Sequence, residues 1–259
     1  MLSVSKIHAD KWALSDSCEL KVAEETFFRN SDLFLKNQND IKNEISSIIN
    51  KEVTNQVLSV QIKMIRKEET FIKRINATKL NIGIRASFKK SRLNFRYEVT
   101  HNEGVFYDSN RSRGFDFSLI DETYNLVNFR NYCYGRRAIH NGPDKWKEEL
   151  SKRKDWSNLS EQLFSDSEVG LDLKVKKINP TILGEIQFGN WALAHRDILK
   201  VISTQKETDV DLFIYITATG DLSKALSSST VNFKNMESLL NEFKNVLSMP
   251  VWLIGIDFK

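Results

Sequence analysis

Glu185 and Gln187 stand two residues apart in Gly184-Glu185-Ile186-Gln187-Phe188. In an extended strand their side chains share one face, while Ile186 and Phe188 take the other. Asp172 lies upstream, beyond Asn179-Pro180, a pair whose residue types favour a turn. A hairpin folded there would set Asp172 opposite Gln187 and on the face of Glu185, bringing two carboxylates and an amide together. Buried carboxylates this close repel and resist desolvation, so the arrangement is favoured mainly where a cation sits between their oxygens. Mg2+ suits such a site, because it takes oxygen ligands and keeps several waters. It could polarise a phosphodiester oxygen and lower the pKa of a bound water for in-line attack at phosphorus. The alternative is two ordinary strand-end acids neutralised by Lys174, Lys176 and Lys177, and spacing alone favours that plainer reading.

The elements that must position these residues are read from periodicity. Ile41, Ile45, Ile48 and Ile49 recur at helical spacing. Leu58 to Met64, Leu80 to Phe88 and Leu93 to Val99 alternate with polar neighbours, which predicts strands of a one-face-buried antiparallel sheet. Asp121 caps a predicted helix through about Tyr134, and another covers Pro143 to Lys154. VGLDLKV and TILGEIQF read as the hairpin pair. Helical spacing at Ala194, Ile198, Val201 and Ile202 follows, then the apolar run VDLFIYITA, a helix from about Asn232 and a final PVWLIGIDF strand. That alternation implies parallel strands joined by right-handed helical crossovers. The expected class is α/β: a core with a central mixed β-sheet flanked by helices over 136–259, and a β-rich α+β region over 1–135.

The chain has 259 residues, 41% apolar and 28% charged, which excludes disordered and fibrous classes and provides for one sizeable core or two modest ones. No apolar run approaches the roughly 20 residues needed to cross a bilayer. The start MLSVSKIHADKW lacks the pattern of a secretory signal, so a soluble cytoplasmic protein without a membrane partner is expected. Cys18 and Cys133 have no metal or redox spacing and read as buried small hydrophobes. The net charge of +4 is weak, so charge distribution carries more information than its sum.

The segment Gly184-Glu-Ile-Gln-Phe-Gly-Asn190, continuing Trp-Ala-Leu-Ala-His195-Arg196, resembles the active-site strand and following helix of the PD-(D/E)xK restriction endonucleases of the BamHI, BglII and BstYI group. Trp146-Lys-Glu-Glu-Leu150 through Trp156, Ser223-Lys224 with Ser227-Ser228, and Val251-Trp-Leu-Ile-Gly-Ile256 resemble further segments of that group in the same order. The similarity covers about 136–259. It implies a type II restriction endonuclease that hydrolyses duplex DNA with Mg2+, acts as a homodimer, and lives in a bacterial or archaeal host beside a cognate methyltransferase. A structure-specific repair or recombination nuclease and a non-cleaving DNA-binding module are the alternatives. Asp172 and Glu185 would hold the metal, with the backbone carbonyl of Ile186. Asp166 or Glu168 could replace Asp172, because the twelve residues between Asp172 and Glu185 fall between the shorter gap of BglII and the longer one of BamHI. Gln187 stands where many superfamily members have lysine. A neutral amide has no titratable proton at pH 7, so Gln187 would orient water rather than act as a general base. Asn158 matches an upstream helix residue that holds a metal-bound water.

Asn190 and Arg196 would face a major groove from the helix opening, with a GATC-centred palindrome as the leading site. His195 reads as a packed or interface histidine. Ser227, Ser228 and Ser229 fall where group members read outer base pairs, and Arg136, Arg137 and Asn141 resemble a recognition loop. Independently of the resemblance, Lys63 to Arg96 holds eleven Lys or Arg against Glu68 and Glu69. Lys89, Lys90 and Arg92 belong to that basic stretch, which is read as a phosphate-gripping surface, with a solvated sheet face as the alternative. Arg111 and Arg113 extend the basic character. Phe233, Met236, Leu240, Phe243 and Leu247 could form a helix-to-helix dimer seam, although such a stripe is more often ordinary core.

Overall fold

The computed structural model describes residues 3–15, 17–54, 57–65, 68–108, 114–164 and 169–259. Arg66, Lys67, Arg111, Arg113, Asp166 and Glu168 therefore lie outside the described residues. In chain order the elements are β1 (Ser3–Val4), α1 (Lys6–Ala13), β2 (Ser17–Phe28), α2 (Ser31–Asn37), α3 (Asn39–Ile49), β3 (Glu52–Thr54), β4 (Leu58–Ile65), β5 (Glu68–Ile75), α4 (Ala77–Phe88), β6 (Val99–Asn102) and β7 (Val105–Asp108). They continue with β8 (Phe117–Leu119), α5 (Glu122–Tyr134), α6 (Gly142–Lys152), α7 (Lys154–Leu163), β9 (Ile182–Ile186), α8 (Ala192–Gln205), β10 (Leu212–Ala218), α9 (Gly220–Ala225), α10 (Phe233–Glu242) and β11 (Val251–Phe258).

A six-stranded mixed sheet, ordered β3-β2-β11-β10-β9-β8, runs through the centre. β9, β10 and β11 are parallel, with α8 and then α9 and α10 as their connections, as the alternation of apolar runs predicts. β10 is buried along its whole length, because helices cover both faces of the sheet and an alternating strand would strand polar groups there. Ile214 and Ile216 enter one core with Ile41, Ile45, Leu80 and Ile84 from α3 and α4. Phe213 and Tyr215 enter the other with Ile198, Val201, Met236 and Leu240 from α8 and α10. Leu126, Phe129 and Trp156 form a third cluster with Val105 and Tyr107 of β7. β2, β3 and β8 precede residue 135 yet share this sheet with β9–β11, so the division expected there is not a boundary of the sheet. β1, β5 and β4 form a separate antiparallel sheet.

Two expectations are corrected by non-local packing. Leu80 to Phe88 is not a strand but the greater part of α4, whose start is capped by Asn76 accepting from the Lys79 amide at 3.0 Å. Its apolar residues fit both periods, but the buried set Leu80, Gly83, Ile84 and Phe88 follows the helical one and leaves Ile82 exposed. Leu93 to Val99 is largely irregular, with only an isolated bridge from Arg96 to Ser118 before β6 begins. Other signals hold: Asp121 accepts from the Tyr124 amide to cap α5, Asn232 accepts from the Asn235 amide to cap α10, and α6 carries Pro143 in its first turn. Cys18 and Cys133 are buried, and burial pushes their thiols up to about 11 and about 12. Among the described residues no helix is long and apolar enough to cross a membrane.

Gly184 lies in β9 against the Phe117 ring of β8, and a Cβ there would come within 2.0–2.4 Å of three ring atoms. Gly184→Ala is expected to destabilise the fold by about 1–3 kcal/mol or more, since neither strand backbone can retreat. Urea unfolding should show the loss, and Phe117→Leu in the same chain should return part of it.

Candidate active site

The strand that carries Glu185 finds its acidic partner in β8, not in a hairpin with residues 171–178. β8 pairs antiparallel with β9 in the register Phe117↔Gly184, Ser118↔Leu183, Leu119↔Ile182. One step beyond Phe117, Asp116 stands across from Glu185, and its Oδ2 accepts from the Ile186 amide at 2.8 Å. Both carboxylates are buried, Asp116 at 7% and Glu185 at 3% exposure. Burial raises the Glu185 carboxyl well above the usual range, with the Asp116 charge next and Lys200 opposing. Burial likewise pushes Asp116 up to about 6, against the pull of Arg85 and of the Ile186 amide. Each acid already carries a basic partner: Arg85 of α4 pairs with Asp116, and Lys200 of α8 pairs with Glu185. Lys200 also donates to the Gly114 carbonyl at 2.8 Å and lies 4.5 Å from the Phe115 ring centre.

The hairpin expected to set Asp172 beside Glu185 is corrected. Residues 170–179 run along α5 instead of beside β9: the Gly170 amide donates to the Tyr134 carbonyl, Leu173 and Asn131 exchange two hydrogen bonds of 2.8 Å, and the Ile178 and Asn179 amides donate to Asp121. These bonds use the backbone groups that a hairpin would need. Asp172 is exposed, accepts from the Arg136 amide at 2.9 Å, and lines a polar cavity with Arg137 and Asn131. Asn158 is exposed on α7, beside Trp156 of the third cluster and away from β9. The helix that does approach β9 is α4, where Asn81 Nδ2 donates to the Ile186 carbonyl at 3.0 Å. Asp116 and Asn81 were missed because three helices separate β8 from β9 and because α4 also fits a strand pattern. The Asn76 cap was the available signal for α4, and the Phe-Asp-Phe alternation at 115–117 was the signal for β8.

Asn81, Arg85 and Gln187 line an open cleft of about 340 Å3, which reaches Asp116 through its ion pair with Arg85. Gln187 Oε1 accepts from the Gly189 amide at 2.9 Å, and its Nε2 donates to Asp197 at 3.2 Å. Asp197 is completely buried and also accepts from the Tyr215 hydroxyl at 3.4 Å. One amide lone pair and one N–H of Gln187 remain beyond these bonds. Among the described residues no group of three or more His, Cys, Asp or Glu side chains could hold a metal ion, so a cation here would take two carboxylates and the Ile186 carbonyl.

Asn190 is exposed, with Oδ1 accepting from the Ala192 amide at 3.0 Å, and Arg196 is exposed near the start of α8. Asn190 bridges to Thr230, and the Trp191 amide donates to the Ser229 carbonyl, so exposed Ser227, Ser228 and Ser229 run beside Asn190 on one surface. His195 is exposed, edge-on to Trp191 at 5.3 Å between ring centres, and is not packed inside the chain. Arg136, Arg137 and Asn141 are exposed beyond α5. In the basic stretch Arg92 pairs with Glu44, Arg85 with Glu98 and Asp116, and Arg96 with Asp108 and Glu122. Lys63, Lys79 and Lys90 form no ion pair among the described residues, and Lys89 lies 5.6 Å from the Tyr97 ring centre. The expected dimer seam is corrected too: Phe233, Met236, Leu240 and Leu247 belong to the second core, with Phe243 packed against it.

No curated protein sequence matches the chain. Solved structures similar to it include BglII restriction endonuclease in complex with a DNA 16-mer, at 13% identity, covering 92% of this chain and 77% of that one with a TM-score of 0.47, and free BglII, at 14%, covering 90% and 77% with a TM-score of 0.43. The sequence profile described as restriction endonuclease BglII/BglIII matches residues 23–256, nearly the whole chain. With that match, the chain belongs to the BglII/BglIII restriction endonuclease family and is a DNA-binding type II site-specific deoxyribonuclease.

Proposed function

We propose that this endonuclease cuts duplex DNA with Mg2+ held by Asp116, Glu185 and the Ile186 carbonyl. The observation that carries the reading is the pair of buried carboxylates on the paired segments of β8 and β9, with Asp116 joined to the cleft wall through Arg85. Burial raises both carboxyls, and Arg85 and Lys200 oppose the rise by favouring the ionised forms that a cation needs. The donors are all oxygens, the kind that Mg2+ takes. When bound, the metal supplies Lewis-acid polarisation of the phosphodiester and a more acidic water. Asn81 fixes the Ile186 carbonyl from the opposite wall, and Asp197 and Gly189 fix the Gln187 amide, whose remaining N–H and lone pair orient water in the cleft. Asp116 takes the role expected of Asp172, and Asn81 that expected of Asn158.

The surface of Asn190, Arg196 and Ser227–Ser229 is assigned to base reading, with a GATC-centred palindrome as the preferred site. Lys89 and Lys90, with Lys63 and Lys79, are assigned to phosphates, as are Arg136, Arg137 and Asn141 on the loop beyond α5. Arg92 is tied to Glu44 and contributes less. One such site cuts one strand, so a homodimer on a palindrome is the economical arrangement, formed through a surface other than the apolar stripe of α10. A cognate methyltransferase would protect the host.

Plasmid digestion with Mg2+ tests the reading: discrete fragments with uniform ends support it, while structure-dependent nicking or binding without cleavage overturns it. Asp116→Asn and Glu185→Ala are expected to lower cleavage at least about a hundredfold while binding persists, whereas Asp172→Asn and Asn158→Ala leave cleavage near wild type. If about four lysines neutralise phosphates, affinity should fall about a hundredfold between 50 and 200 mM salt, measured by fluorescence anisotropy. Only ionised Asp116 holds a cation, and its folded pKa is raised to about 6, so protons compete below that pH. Calorimetric titration of the DNA-free protein should therefore show Mg2+ binding weakening as pH falls from 7 to 5.

A further inference from the structure

Arg85 occupies a place in the site that metal binding alone does not explain. It lies on α4 one turn beyond Asn81, on the wall of the cleft shared with Gln187. Its Nε donates to Asn81 Oδ1 at 2.9 Å, one terminal nitrogen pairs with Glu98, and the other pairs with Asp116. Three of the five guanidinium N–H donors are thereby used, and one remains on each terminal nitrogen. The Arg85 side chain is 31% exposed, while that of its partner Asp116 is 9% exposed. The carboxylate faces inward and the spare donors lie on the more open group. A cation drawing on Asp116 also weakens that acid's hold on the guanidinium, which leaves positive charge at the cleft wall beside the reacting position. A phosphodiester matches what is left, since it is anionic and planar N–H forks bind its oxygens.

We propose that Arg85 is a catalytic residue that donates from its two spare N–H groups to the non-bridging oxygens of the phosphate being cut. This rests on the assignment of Asp116 and Glu185 to the reacting centre. It adds a role for α4 beyond placing Asn81: the helix carries the substrate's counter-charge, and Glu98 keeps the guanidinium oriented when Asp116 is drawn away.

The test uses the full chain and a duplex carrying one neutral methylphosphonate at the cut phosphate, located by sequencing the ends of digested DNA. Binding with Ca2+ in place of Mg2+ should weaken about tenfold for the wild type on this duplex, and stay within about twofold for Arg85→Met. Arg85→Gln keeps amide donors for Asp116, so it preserves the fold if Met does not, and it should likewise lose the discrimination. Single-turnover cleavage of unmodified DNA should fall about a hundredfold in both variants. A variant that retains the full wild-type penalty for the neutral phosphate overturns the proposal and leaves Arg85 as a strut for Asp116 alone. Cleavage by the wild type and its loss in Glu185→Ala secure the underlying assignment independently, whereas a wild type that does not cut removes that assignment as well.

Discussion

Two carboxylates from adjacent antiparallel strands are buried close together, and the surrounding side chains are arranged around the cost of taking them out of water. Asp116 and Glu185 would each cost several kcal/mol if ionised alone in such a place. The fold answers from two sides, with Arg85 arriving on α4 and Lys200 on α8. These helices lie on opposite faces of the sheet, so the charge balance of the site depends on both major cores being packed. Asp197, itself completely buried, extends the network to Gln187 and Tyr215.

This dependence explains why the insertion between β8 and β9 can be long. The pairing of these strands is fixed by their own ladder and by the stacked rings of Phe88 and Phe117, 4.3 Å apart. α5, α6 and α7 form their own aromatic cluster around Phe129 and Trp156 and return the chain through residues pinned to α5. The intervening chain therefore adds a packed unit without disturbing the acids.

The segment after β10 is tied into the same frame. Thr217 donates to the Gln187 and Val231 carbonyls, and Arg74 of β5 donates to the Leu226 carbonyl at 2.9 Å. The exposed serines and Asn190 are thus held at a set distance from the cleft, and the β1-β5-β4 sheet braces them. Under the proposed assignment, a base-reading surface held rigidly beside the cutting site would let recognition fix which phosphate reaches the acids.

The sequence alone determined the parallel β9–β11 unit, because apolar runs bounded by caps and turns specify strands and crossovers locally. It also determined that Glu185 and Gln187 share a face, a consequence of strand period alone. Asp121 and Asn232 announced their helices through the same kind of near-neighbour bonding. The tertiary structure decided which acid meets Glu185, which helix supplies an asparagine, and whether the α10 stripe is core or surface. Leu80 to Phe88 satisfied two periods until α4 had a core to face, and Asp172 was drawn to the Arg136 amide while Asp116 took its expected place. Strand pairing across an insertion is set by the packing of distant residues, and no spacing within one segment encodes it.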